Sequence, residues 1–315
     1  MGHGNTTDKW ILTLIETGDI LGKDIIFIAT GVLHSMALEA TGTVRTWGFS
    51  GSGQLGHNNL EDRLMPTAVT REAFNMHKIV SVAEGRVHSV GVMMEGNFWV
   101  WGNGYMGQLG LDNQINQIIP IMIGKDTAFG ESDLLSASCG TFHMMAVTKD
   151  GALWTFGKGA EGALDHNDRE NRLVPTRVEA QHFGNANVVS IAGVVYHSAA
   201  VTEDGTLFTW GTGDESKGLG HSSGMPMWIP TRVDPSLMLG ARIGPCHKLQ
   251  PMRAMAFAMG THSRLGGGCV YVTIPGELVQ RVIEAYTIWP EGRTGELDGM
   301  VQMLGGGMMR AKGSI

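Results

Sequence analysis

Apolar residues in this chain come in short bursts divided by turn residues, until the period changes after Pro275. The runs Val44-Arg45-Thr46-Trp47, Phe98-Trp99-Val100-Trp101, Leu153-Trp154-Thr155-Phe156 and Leu207-Phe208-Thr209-Trp210 are rich in β-branched and aromatic residues, and each predicts a strand. A turn pair precedes every run, at Thr41-Gly42, Glu95-Gly96, Asp150-Gly151 and Asp204-Gly205, so each run closes a β-hairpin. Further upstream lies another apolar strand, as in Ile79-Val80-Ser81-Val82-Ala83-Glu84 and Val188-Val189-Ser190-Ile191-Ala192. A fourth strand is expected around each of Pro66, Pro120, Pro175 and Pro230.

These units repeat. Trp47-Gly48, Trp101-Gly102, Phe156-Gly157 and Trp210-Gly211 follow one another at steps of 54, 55 and 54 residues. Thirteen residues before each aromatic stands His34, His88, His143 or His197. Downstream come Gln54-Leu55-Gly56, Gln108-Leu109-Gly110, Ala163-Leu164-Asp165 and Gly218-Leu219-Gly220. Four-stranded units of this length in tandem predict an all-β fold, a β-propeller whose core forms between the apolar faces of neighbouring blades.

The same residues resemble the regulator of chromosome condensation repeats, which carry G-x-x-H-S, W-G and G-Q-L-G at these places. Gly31-Val32-Leu33-His34-Ser35, Gly85-Arg86-Val87-His88-Ser89 and Gly53-Gln54-Leu55-Gly56 fit as they stand, and the resemblance covers about residues 25 to 265. Later copies depart from it: Ala163 and Asp165 replace Gln and Gly, and one residue is inserted before His197 and another before Gly220. A degraded fifth copy runs from Met255 to Ser263 without a following Trp-Gly pair. The expected division is an N-terminal segment over 1–24, propeller repeats over 25–274 and a C-terminal helix and tail over 275–315. In the first of these, Trp10 leads to Gly22 much as Trp47 leads to Gly56, which makes the segment a candidate to complete the last blade. Leu278, Val282, Ile283 and Tyr286 recur at helical spacing within 277–289, a stripe that could pair two copies of the chain into a homodimer.

A net charge of −7 argues against a surface built to track phosphates, so no direct nucleic-acid partner is expected. Cys139, Cys246 and Cys269 are too few and too scattered for a disulfide framework, which fits a reducing compartment, cytoplasmic or nuclear. No apolar run is long enough for a transmembrane helix. The N-terminal Gly2 to Thr6 matches an acylation pattern, with Gly2 as acceptor.

Each of the four histidines occupies one place in a different blade, so a structural role is expected: an imidazole can bridge a turn through its two nitrogens. Trp47, Trp101, Phe156 and Trp210 are read as core anchors. Gly102-Asn103-Gly104 and Gly266-Gly267-Gly268 lack the Lys-Ser/Thr and helix of a phosphate loop, and no acid–base constellation recurs, so neither a cofactor nor an enzymatic activity is expected. What varies between blades is the loop before each histidine and the loop after each aromatic-Gly pair. Among these, Arg86, Tyr105, Phe142 and Tyr196 have the side chains that dominate protein interfaces. The resemblance implies a protein-interaction platform, which is the preferred expectation. The resemblance also implies an alternative, guanine-nucleotide exchange on a small GTPase of the Ran type.

Overall fold

A computed structural model describes residues 2–7, 10–11, 13–16, 18, 20–124, 129–212, 219–221 and 226–234. They form four antiparallel sheets of four strands, each in sequence order. The first blade comprises β1 (Ile25–Thr30), β2 (His34–Glu39), β3 (Val44–Gly48) and β4 (Arg63–Ala68). β5 (Ile79–Glu84), β6 (His88–Met93), β7 (Phe98–Gly102) and β8 (Gln117–Ile123) make the second. The third holds β9 (Leu134–Cys139), β10 (His143–Thr148), β11 (Leu153–Gly157) and β12 (Arg172–Arg177). The fourth holds β13 (Val188–Gly193), β14 (His197–Thr202), β15 (Leu207–Gly211) and β16 (Met227–Arg232). The fold is thus the all-β propeller that the repeats predict. The degraded copy at 255–263 and the helix expected over 277–289, with Leu278, Val282, Ile283 and Tyr286, lie outside the described residues.

Middle strands are mostly buried, polar residues included, because both of their faces are covered. Every residue of β6, β7 and β10 is buried, as a strand clamped between neighbouring blades must be. The core therefore sits in the joints: Met36, Leu38 and Val44 of the first blade pack with Ile79, Val82, Trp99 and Trp101 of the second. Each outer strand carries its proline where no ladder N–H is needed. The glycine closing the third strand is dictated by close approach. Gly48 sits at φ +112, and a Cβ there would stand 2.6 Å from the Leu33 carbonyl. A short 3-10 turn after the first blade, Arg71–Phe74, plugs the next joint with Phe74, whose ring meets Trp99 and Trp101 edge-on at 5.6 and 5.7 Å.

The repeated His, Ser and Trp form one hydrogen-bonded unit across a joint. His34 Nε2 lies 2.8 Å from Ser89 Oγ in the next blade, and both Ser89 Oγ and Trp101 Nε1 donate to the Gln54 carbonyl, at 2.9 and 2.8 Å. His143, Ser198, Trp210 and the Ala163 carbonyl repeat the arrangement at 3.0, 2.9 and 2.9 Å. Ala163 can replace glutamine because the shared acceptor is a main-chain carbonyl. The joint between the second and third blades is different. Met144 and Phe156 stand where Ser and Trp are expected, and both nitrogens of the buried His88 are left without a hydrogen bond. A second paired replacement lies nearby. Thr46 Oγ1 donates to the Leu55 carbonyl (2.8 Å) and meets His57 Nε2 (2.9 Å), as Thr155 and Thr209 do with His166 and His221, whereas the second blade has Val100 and Leu111 at these two places.

Two readings of the sequence change. No residue is inserted before His197: Val194 N donates to the His197 carbonyl at 3.0 Å as Gly85 N does to that of His88 at 2.9 Å, so Val194 occupies the glycine's place. The register of the N-terminal segment also shifts. Gly2, at φ +80, is buried under Trp47 as Gly56, at φ +75, is under Trp101; a Cβ on either would stand 3.0 Å from the indole nitrogen. Gly4 N bonds the Leu64 carbonyl at 3.0 Å, matching Asn58 N on that of Ile118. Gly2 and Gly4 thus take the places of Gly56 and Asn58 one period earlier, and by that step of 54 residues Trp10 aligns in sequence with Leu64, not with Trp47. At 92% exposure Trp10 cannot be a blade anchor. Acylation at Gly2 requires its packing on Trp47 to open.

Candidate functional site on the loop face

In every blade the inner loop, between first and second strands, is tied to the long loop, between third and fourth. Phe49 N donates to the Leu33 carbonyl (2.9 Å), Asn103 N to that of Val87 (2.8 Å), Lys158 N to that of Phe142 (2.9 Å) and Thr212 N to that of Tyr196 (3.0 Å). Both loop sets therefore share one face of each blade, opposite the hairpin turns. Side chains stiffen the long loops: Ser50 N bonds Asp62 Oδ1 (2.7 Å), Gly104 N bonds Asn116 Oδ1 (3.0 Å), and Gly159 N bonds Asn171 Oδ1 (3.1 Å). Gln54 and Gln108 close their own turns by accepting from Ser52 N and Met106 N. Loops held this way present their outer side chains from a rigid base.

Those side chains are unusually apolar for a surface. Val32, Leu33, Phe49, Tyr105, Ile115 and Tyr196 are all exposed, Tyr105 at 66% and Ile115 at 64%. Of the four residues singled out from sequence, Phe142 and Tyr196 are brought together. The Lys158 ammonium stands 5.8 Å from the centre of the Phe142 ring and 5.7 Å from that of Tyr196, and pairs with Glu161 at 2.6 Å. Arg86 and Tyr105 belong to the same face, on the inner and long loops of the second blade, and both are exposed. Sequence reasoning did not single out Ile115; its signal is a large apolar residue within a loop of otherwise polar ones, Asp112-Asn113-Gln114 before it and Asn116 after it.

Beneath the face lies a layer of buried titratable groups. Burial pushes His34, His88 and His143 down to about 3, and neighbouring imidazoles add to the shift for the last two. All three are neutral at physiological pH. Glu84, last in β5, also turns inward: its Oε2 accepts from Gly31 N, its Oε1 has no hydrogen-bond donor, and burial raises its pKa well above the carboxylate range. Cys139 is a buried free thiol whose pKa is raised by desolvation and by Glu84. Among the described residues no three of these groups have a geometry that would hold a metal ion, and no helix is long and apolar enough to cross a membrane.

The model of the "Regulator of chromosome condensation (RCC1) repeat" matches residues 41–92, 95–147 and 150–201, and a second model of the same description matches 188–217. The chain belongs to the regulator of chromosome condensation repeat family. Among its relatives in that family, the Ultraviolet-B receptor UVR8 of Arabidopsis thaliana is 31% identical over 303 residues, covering 94% of this chain and 65% of the receptor. The E3 ubiquitin-protein ligase HERC2 of Homo sapiens is 32% identical over 219 residues, 69% of this chain but 4% of the ligase. The chain thus spans under two thirds of the length of each. Human WBSCR16 has the same fold at a TM-score of 0.63 and 22% identity, covering 74% of this chain and 60% of that one. Prp20p from Saccharomyces cerevisiae gives 0.58 at 20% identity, covering 68% and 51%. At these identities the two structures establish the propeller fold and no more.

Proposed function

We propose that this protein is a non-catalytic docking platform that holds a protein partner on its loop face. The observation that carries the reading is the row of exposed apolar and aromatic side chains on that face, mounted on loops fixed by their own hydrogen bonds. Rigid aromatic anchors ringed by polar groups are how specific interfaces concentrate their binding energy. The buried histidines and Glu84 are sealed in the joints, where no substrate reaches them, so the chemistry-bearing residues serve the fold. Guanine-nucleotide exchange on a Ran-type GTPase is the alternative. It draws on the likeness to Prp20p, whose structural description includes its binding properties to Gsp1p and histones.

One pair of assays separates these readings. The partner recovered with the intact chain should be lost when Phe49, Tyr105 and Tyr196 are changed together to Ser, while the thermal unfolding midpoint stays within a few degrees because all three side chains are exposed. Retention of the partner by that variant would refute the loop-face reading. Accelerated nucleotide release from a Ran-type GTPase at catalytic amounts of this protein would establish the alternative instead.

A further inference from the structure

The loop face has an inner collar with an uneven chemistry. Its four inner loops are Gly31-Val32-Leu33, Gly85-Arg86-Val87, Gly140-Thr141-Phe142 and Val194-Val195-Tyr196. Val32, Leu33, Val195 and Tyr196 are exposed, Phe142 and Val87 are half-buried, and Thr141 is buried. Arg86 is exposed and is the one charged residue among these twelve. No carboxylate in the described residues answers it. Glu84, two residues earlier, is turned into the joint and bonded to Gly31 N. Lys158, a cation on the long loop of the third blade, already has Glu161 at 2.6 Å.

We infer that this collar takes a protruding turn or tail of the partner protein in which apolar side chains flank a carboxylate, with the carboxylate held by Arg86. This rests on the docking reading above and specifies its chemistry. The guanidinium offers a planar fork that matches two carboxylate oxygens. Val32, Val87 and Val195 are drawn over by the incoming apolar side chains, which expels water from around the charge pair and strengthens it relative to an exposed one. A basic segment is excluded by the same arrangement, because it would bring a second cation to Arg86 in an environment of lowered dielectric.

The test is selection of a random peptide library displayed on phage against the immobilised full chain, followed by affinity measurement of the enriched peptides. Enriched peptides should carry Asp or Glu between apolar residues. Arg86→Glu should weaken them about tenfold, and peptides with Lys in place of the acid should then bind the variant better than the wild type. Arg86→Glu should leave the thermal midpoint unchanged, since the side chain is exposed. Peptides that need Tyr196 but are indifferent to Arg86, or that carry no acid, would overturn the proposed chemistry and leave the docking face standing. Peptides indifferent to both Arg86→Glu and Tyr196→Ser, or no enrichment at all, would overturn both.

Discussion

The joint between the second and third blades offers a sharp test of how the propeller is held together. At the flanking joints a serine and an indole share one carbonyl and the preceding histidine bonds the serine; here Met144 and Phe156 replace both donors. The replacements also compensate in part for each other's volume, since the larger Met144 fills some of the space that Phe156 leaves where a tryptophan is expected. Met144→Ser alone should empty space in a fully buried site, costing about 2 to 4 kcal/mol after a new bond to His88 offsets part of the loss. Phe156→Trp alone should overpack against Met144 and cost about 1 to 3 kcal/mol. Made together, the two substitutions refill part of the emptied volume and restore three hydrogen bonds, among His88, the serine, the indole and the Gln108 carbonyl. The double variant should therefore be more stable than the sum of the singles by about 3 kcal/mol, at the upper end of measured coupling energies. Urea unfolding followed by far-ultraviolet circular dichroism measures all four corners of the cycle. Additivity within about 0.5 kcal/mol would refute the reasoning, because it would mean that the two side chains do not share one site.

Three further outcomes follow from the same geometry. His34→Leu should cost about 1 kcal/mol by removing one of the two hydrogen bonds of Ser89, whereas His88→Leu should cost little, since neither His88 nitrogen is bonded. Because the folded pKa of His88, about 3, lies below the usual 6.5, its contribution is present above pH 6.5 and is lost as pH falls toward 3. His88→Leu should accordingly flatten the acid limb of stability by up to about 1.4 kcal/mol per pH unit. Thr46→Val should destabilise by about 1 to 2 kcal/mol, and adding His57→Leu should recover most of it, as the natural pair Val100 and Leu111 does in the next blade; urea midpoints decide. Asp165 occupies a glycine's place at φ +61, with its carboxyl raised to about 9 first by burial and then by Glu179. A raised folded pKa means stability is lost as pH climbs from 3.8 toward 9. Asp165→Asn should therefore stabilise more at pH 8 than at pH 5 in thermal melts, and an equal effect at both would count against the buried acid.

Much of the fold was legible because its signals are local. Strand runs such as Phe98–Trp101 are short and apolar, turn pairs such as Asp150-Gly151 sit at fixed offsets, and the aromatic-glycine pairs mark the period. The half-repeat at the N-terminus was misregistered because it lacks those markers; the scattered identities Gly2-His3, Asn5, Asp8 and Thr13 with Gly56-His57, Asn59, Asp62 and Thr67 carry its register, and the packing of Gly2 against Trp47 supports it. An insertion was read before His197 because only the hydrogen bond from Val194 N to the His197 carbonyl reveals that Val194 takes the glycine's place. The candidate site was legible as a set of variable loops. That Phe142 and Tyr196 flank Lys158, while Arg86 has no ion-pair partner among the described residues, depends on side-chain directions that a sequence does not encode locally. The inward turn of Glu84 was missed for the same reason, although it is the one charged residue at its place in the four blades, where the others have Thr30, Cys139 and Gly193.

The docking account is tested most directly by site-specific photocrosslinking in cells. A photoreactive amino acid placed at Tyr196 on the loop face should yield a discrete crosslinked protein, and the same amino acid at Met94, 67% exposed on the opposite hairpin-turn face, should yield none. A crosslink from Met94 with none from Tyr196 would contradict the assignment of the loop face as the partner surface.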